Sequence, residues 1–183
     1  SQLSTFTLVP FEPLPGTTQL SITGTLARAG SVLSVTYLMT GDLDSVLIPP
    51  INTCQARKDR LWEQTCFEFF WTAGLQKADQ DAYWEFNLSP TGEWNVFALG
   101  GYRADLKEEP AFSELPFSVS RLPDGVRVTI SVDMSVLLPT DTPWLLGVSA
   151  VGVLADGTET FWAIAHPASE ADFHDSGSFV VQL

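Results

Sequence analysis

Period-2 alternation is the feature that most constrains this chain. Val126, Val128, Ile130, Val132 and Met134 alternate with Arg127, Thr129, Ser131 and Asp133, and Leu20, Ile22, Gly24 and Leu26 share one side of another run. Such spacing suits strands with one face in a core and the other turned outward. Turn chemistry punctuates the runs. Pro123-Asp124-Gly125, Asp156-Gly157 and Ser89-Pro90-Thr91-Gly92 each link two apolar runs over a short distance, which predicts hairpins and hence antiparallel pairing. No window of helical length carries an apolar stripe. The best helical signal is one short turn over 135–138, stopped by Pro139. The pattern predicts a single all-β domain over 1–183, an antiparallel β-sandwich with minimal helix.

Composition narrows the function classes. Nine basic against 22 acidic residues leave a net charge of −13. A surface of that sign repels phosphate backbones and anionic lipid, so neither nucleic acid nor a membrane is expected as partner. The start, SQLSTFTLVPFEP, has neither a basic region nor a long apolar stretch, and no segment reaches the roughly 20 apolar residues of a spanning helix. A cytoplasmic location is therefore expected. Cys54 and Cys66 are too few for a disulfide scaffold; Cys66, in the run TCFEFFW, reads as a buried thiol and Cys54 as a loop residue.

Aromatic residues concentrate in the middle of the chain: eleven of 21 lie between Trp62 and Tyr102. Alternation sorts them. Phe67, Phe69 and Trp71 point one way and Cys66, Glu68 and Phe70 the other, while Trp84, Phe86 and Leu88 oppose Tyr83, Glu85 and Asn87. The fully apolar sides predict the core, to include Phe67, Phe69, Trp84, Phe86, Val128, Ile130 and Val148. The opposite side then collects Glu68, Glu85, Asn87 and Tyr83.

Three clusters carry a family likeness. They are Leu61-Trp62-Glu63 with Cys66-Phe67-Glu68; Glu85-Phe86-Asn87 with Ser89-Pro90, Gly92-Glu93-Trp94 and Tyr102-Arg103; and His166-Pro167 with Asp172-Phe173-His174. As an ordered set they resemble the DOMON-like proteins related to family 9 carbohydrate-binding modules. The resemblance implies a jelly-roll-type β-sandwich with a concave face or rim that, in sugar-binding relatives, holds ligand between aromatic rings. It implies no particular activity.

The residues themselves suit a sugar. A pyranose offers C–H faces to an aromatic ring and a belt of hydroxyls to planar polar groups. Trp62 and Trp94 are the rings expected to stack. Glu68, Glu85, Asn87 and Arg103 form the polar set, with Arg57 close by and His166 near the rim. The plainer alternative is that Glu68 or Glu85 is neutralised by Arg57 or Arg103 in an ion pair with no ligand role. A non-catalytic domain binding a sugar or related small polar ligand ranks first. A glycan-active enzyme using paired carboxylates and a haem or protein-interaction domain stand as alternatives. No catalytic residue is assigned, and oligomeric state is not legible.

No cofactor is expected. Met39 and Met134, the only methionines, sit at strand positions where filling core is the ordinary role, so haem is not anticipated. His166, Asp172 and His174 offer metal-ligating groups, but hydrogen bonds that pin the C-terminal loop serve equally well, and a metal is left unassigned. Asp79, Asp81 and Asp175 lack an EF-hand spacing.

Overall fold

Strand-forming runs account for nearly all regular structure in the computed structural model, which describes residues 1–75 and 77–183. In chain order the strands are β1 (Gln2–Pro10), β2 (Leu20–Ala29), β3 (Val32–Gly41), β4 (Cys66–Ala73), β5 (Tyr83–Leu88), β6 (Trp94–Leu99), β7 (Lys107–Glu108), β8 (Phe117–Leu122), β9 (Gly125–Asp133), β10 (Trp144–Val153), β11 (Glu159–Ala163) and β12 (Val181–Gln182). Helical structure among the described residues is limited to single 3-10 turns, including Leu61–Glu63 and Met134–Val136. The second of these overlaps the short turn expected over 135–138. All three hairpins form where their turn signals stand, as β5–β6, β8–β9 and β10–β11.

Every strand pair is antiparallel, and the pairing runs β7-β6-β5-β4-β10-β11-β1-β2-β3-β9-β8, with β12 on the end of β10. The long sheet curls into two layers. Strand β1 joins them: residues 2–8 pair with β2, and Val9 and Pro10 pair with β11. This strand has no clean sequence signal, because Leu3 is exposed while Phe6 and Leu8, in the opposite phase, are buried.

The two inner faces meet in one aromatic-rich core. Phe67, Phe69, Trp84, Phe86, Val128, Ile130 and Val148 are all buried in it. Phe69 and Phe86, directly opposite in register, stack with ring centroids 4.4 Å apart. Met39 and Met134 lie in the same core. Tyr37 on β3 crosses between the layers, and its hydroxyl donates to the Glu68 carbonyl oxygen at 2.6 Å. That bond ties the far layer to the strand carrying the candidate site. Cys66 is buried, Cys54 exposed, and both are free thiols.

Gly24 shows how tightly the layers pack. A Cβ there would sit 1.9 Å from the Thr36 carbonyl oxygen and 2.4 Å from the Phe6 ring, so both the neighbouring strand and a core side chain would have to move. Overpacking of this kind costs about 3 kcal/mol, the upper end of the usual range. Gly24→Ala is expected to lower unfolding free energy by about that amount in urea denaturation. A loss under about 1 kcal/mol would show that this corner of the core yields freely.

Candidate functional site

Strands β4, β5 and β10 are buried along both faces. One face is the core. The C-terminal segment crosses the other, laying Phe179, Phe173 and His174 against Phe70 and Tyr83. It covers only part of that face. Beside it lies an open cavity of about 490 Å³, whose lining includes Trp62, Glu68, Glu85, Arg103, Phe161 and Phe173.

Strand register assembles the floor. Glu68 pairs with Asn87 and Phe70 with Glu85, so Glu68, Glu85 and Asn87 share the side opposite Phe69 and Phe86. Glu68 is 2% exposed, Glu85 5% and Asn87 0%. The two carboxyl groups hydrogen-bond to each other. With its nitrogen turned toward them, the Asn87 amide donates to Glu68 Oε1 at 2.9 Å and Glu85 Oε1 at 3.2 Å. No ion pair reaches either carboxyl from an arginine or lysine among the described residues. Arg57 pairs with Glu108, and Arg103 with Asp172. The simple salt-bridge explanation for these glutamates therefore fails.

Without a cation, burial sets the protonation. Burial lifts Glu85 to about 7, against smaller lowering by its bonds to Glu68 and Asn87. Burial raises Glu68 further, helped by the neighbouring Glu85 charge. Near neutral pH the pair keeps a proton, which the two carboxyl groups share. A neutral histidine borders the pair. Burial, then the Arg103 charge, depress His174 to about 4, and its Nε2 lies 3.8 Å from Glu85 Oε2. Its Nδ1 lies 2.7 Å from the Tyr83 hydroxyl, which accepts the Arg103 backbone N–H at 3.2 Å. Burial pushes Tyr83 to about 12, so it keeps its proton. The arrangement that uses every proton has Tyr83 donating to Nδ1 and the Nε2–H of His174 facing Glu85.

The rim is built from three separate segments. The 3-10 turn Leu61–Glu63, anchored by buried Leu61, projects Trp62 against Phe97 at 5.7 Å. Arg103 leaves the β6–β7 turn with φ 51° and donates to Asp172 Oδ1 at 2.8 Å. Tyr102 donates to the other oxygen of Asp172. Glu159 and Phe161 come from β11, and past them the cavity runs into a second hollow of about 370 Å³ reaching Phe11, Glu12 and Glu170.

Of the residues singled out from the sequence, Trp62, Glu68, Glu85 and Arg103 meet in the cavity and Asn87 braces its floor. Trp94 does not join them. It is 1% exposed in the core, because it pairs with Leu88 and directly paired residues share a face. Arg57 stacks over Trp94 at 4.6 Å and donates to Asn95 and to the Glu109 and Phe112 carbonyls, which fastens the β7 region to the sheet edge. His166 is also elsewhere. Its Nε2 contacts the Val9 carbonyl at 2.8 Å and its ring meets Phe11, so it pins the C-terminal segment to β1. Among the described residues no group of three or more His, Cys, Asp or Glu is placed to hold a metal ion. Glu159 and Phe161 escaped the sequence reading. Nothing local in the sequence marks either of them as facing the same cavity as Glu68 and Glu85.

The chemistry open to the carboxyl pair is limited. Glycosidase carboxyl groups stand about 5 Å or more apart so that the sugar fits between them. Here the two groups are within hydrogen-bonding reach of each other, closer than that spacing.

No family model matches this sequence, and no curated protein matches it. Among solved structures, a "putative carbohydrate-binding protein" from Bacteroides uniformis ATCC 8492 superposes with a TM-score of 0.67 at 13% identity, over 95% of this chain and 84% of that chain. The two proteins share a fold. Two family 9 carbohydrate binding modules from Caldicellulosiruptor kristjanssonii also match. One, in complex with cellotriose, has a TM-score of 0.49 at 12% identity over 91% of this chain and 75% of that one. The other, in complex with glucose, has a TM-score of 0.42 at 16% identity over 80% and 68%. None of the three is described as a DOMON protein.

The protonation pattern predicts a pH signature. A buried acid whose folded value is raised stabilises the fold below its unfolded value of 4.5 and loses that contribution as pH rises through the folded value, about 7 for Glu85. Depressed His174 acts the other way, losing stability as pH falls from 6.5 to about 4. Above pH 6.5 only the acids of this site still act in this way, so the melting temperature is expected to fall from about pH 6.5 to about pH 8. The double variant Glu68→Gln, Glu85→Gln keeps the shape of the floor and should flatten that slope. An equal slope in both proteins would place the titrating groups elsewhere.

Proposed function

We propose that this protein binds a carbohydrate in the cavity on the outer face of β4, β5 and β11, without catalysis. One observation carries the reading: a buried polar floor of Glu68, Glu85 and Asn87 lies open to an aromatic-rimmed cavity of about 490 Å³, a size suited to a small ligand. Burying two carboxyl groups is costly for a fold that needs no charge there. The shared fold with the Bacteroides uniformis protein, described as a "putative carbohydrate-binding protein", supports the reading.

The roles divide by chemistry. Trp62, Phe161 and Phe173 offer rings to the C–H face of a sugar. Glu68 and Glu85 accept from its hydroxyls, and Arg103, half exposed at the rim, donates. Trp62 is partly exposed and can be cut back without opening the core.

A thermal-shift screen followed by calorimetry with monosaccharides and short oligosaccharides tests the proposal, since a ligand of the native state raises apparent stability. Trp62→Ala is expected to weaken sugar binding about ten-fold with little change in melting temperature. Trp94→Ala, by contrast, should cost about 3–5 kcal/mol of stability, because it empties part of the core. No stabilisation by any sugar, or full binding by the Trp62 variant, would overturn the reading.

A further inference from the structure

The cavity floor is a charge problem that the protein leaves unsolved. Glu68 and Glu85 are almost wholly enclosed, and among the described residues their carboxyl groups meet only each other, Asn87 and, on the Glu85 side, the neutral His174. Every lining carboxylate adds to the imbalance: Glu159 stands on the wall, and the adjoining hollow adds Glu12 and Glu170. Among the described residues Arg103 is the only arginine or lysine on the lining, and it is committed to Asp172. A second feature on the same face points the same way. Ser149 on β10 pairs directly with Glu68, and lies two residues before Val151, which lines the cavity. Its hydroxyl oxygen is buried and has no hydrogen-bond partner among the described residues. Buried polar groups are rarely left without one.

The floor therefore presents acceptors to the cavity and very few donors. The amide of Asn87 is already spent on the two carboxyl groups. A neutral hydroxyl brings one proton to such a floor. An ammonium group brings three donors, no acceptor and the missing positive charge.

From this geometry we propose that the ligand is an amino sugar whose ammonium group binds over the Glu68–Glu85 pair and Ser149. The proposal deepens the carbohydrate reading and rests on it. The ammonium replaces the proton held between the two carboxyl groups; that proton, with the second one in molecules whose Glu85 is still protonated, leaves to solvent, and both glutamates become carboxylates. No covalent bond changes. Other groups facing the pair do not take up the released proton. Burial keeps the Cys66 thiol and the Tyr83 hydroxyl protonated, Arg103 stays charged, and His174 resists protonation down to about 4. The net charge of −13 also draws cations toward the chain.

Calorimetric titration of the full chain at about pH 7, where Glu85 is half ionised, tests this in two buffers of different ionisation enthalpy. The ligands are glucosamine, galactosamine and mannosamine, their parent hexoses, their N-acetyl derivatives, and cyclohexylamine. At least one free amino sugar is expected to bind about ten-fold or more tighter than both its parent and its N-acetyl form, with proton release that the parent lacks. The Glu68→Gln, Glu85→Gln protein, checked for an intact melting transition, should lose both the preference and the release. Equal affinity for amino sugar and parent would overturn this inference and leave the carbohydrate reading standing. Cyclohexylamine binding as tightly as the amino sugars would overturn both, and so would no binding by any of the panel. Preference for an amino sugar with no proton release would also refute it, since the ammonium would then sit away from the pair.

Discussion

Burial of the central strands on both faces is the constraint from which the rest of the architecture follows. A sheet needs only one covered face to belong to a sandwich, yet β4, β5 and β10 are enclosed on each side. The inner side is closed by the second layer, the outer side by the chain's own C-terminal segment. Phe70, Tyr83, Leu145 and Phe179 form a small separate cluster beneath that segment. Gly147 allows the close approach, since a Cβ there would press on the Phe179 ring at 3.3 Å. His166 at one point and β12 at another hold the segment in place. Because the cover stops short, part of a face otherwise sealed from water stays open. The candidate site is that gap.

Electrostatics inside the gap follow from the same enclosure. Exposed glutamates would ionise at acidic pH and need no partner. Here water is largely displaced, and the charged form is disfavoured before any neighbour is considered. The hydrogen bond between Glu68 and Glu85, the Asn87 amide and the neutral His174 are ways of living with that penalty. The nearby ion pair of Arg103 and Asp172 is kept at the rim, where the arginine is 54% exposed and the cost of desolvating it is small. A floor of low charge tolerance thus lies under an exposed, charged rim.

The second arginine illustrates how similar side chains serve opposite ends. Arg57 spends its donors on backbone carbonyls and Asn95 while covering the Trp94 ring, so it holds the β7 edge onto the sheet. Arg103 is held on a left-handed turn residue and aims outward. Residue type and sequence neighbourhood are alike in the two cases: each lies near an aromatic residue and acidic groups. What separates them is which side of the sheet the backbone brings them to.

Alternation and turn chemistry were enough to read the fold class, the three hairpins and the core faces of β4, β5, β9 and β10, because a strand's side-chain period is local and depends on nothing outside it. They also placed Glu68, Glu85 and Asn87 together on the outer face, since adjacent hairpin strands carry their alternation across the register. Strand β1 was not legible. Its burial depends on a change of partner at Val9, and Leu3 breaks the phase. Trp94 was assigned to the wrong side although its register opposite Leu88 decides the face, because its polar neighbours outweighed that parity. Glu159, Phe161 and the true place of His166 depended on where a long irregular C-terminal segment docks. No local rule governs that docking; only packing between residues far apart in the chain does. The sequence thus determined which side chains of the central hairpin strands share the outer face, and the tertiary structure decided which residues line the cavity there.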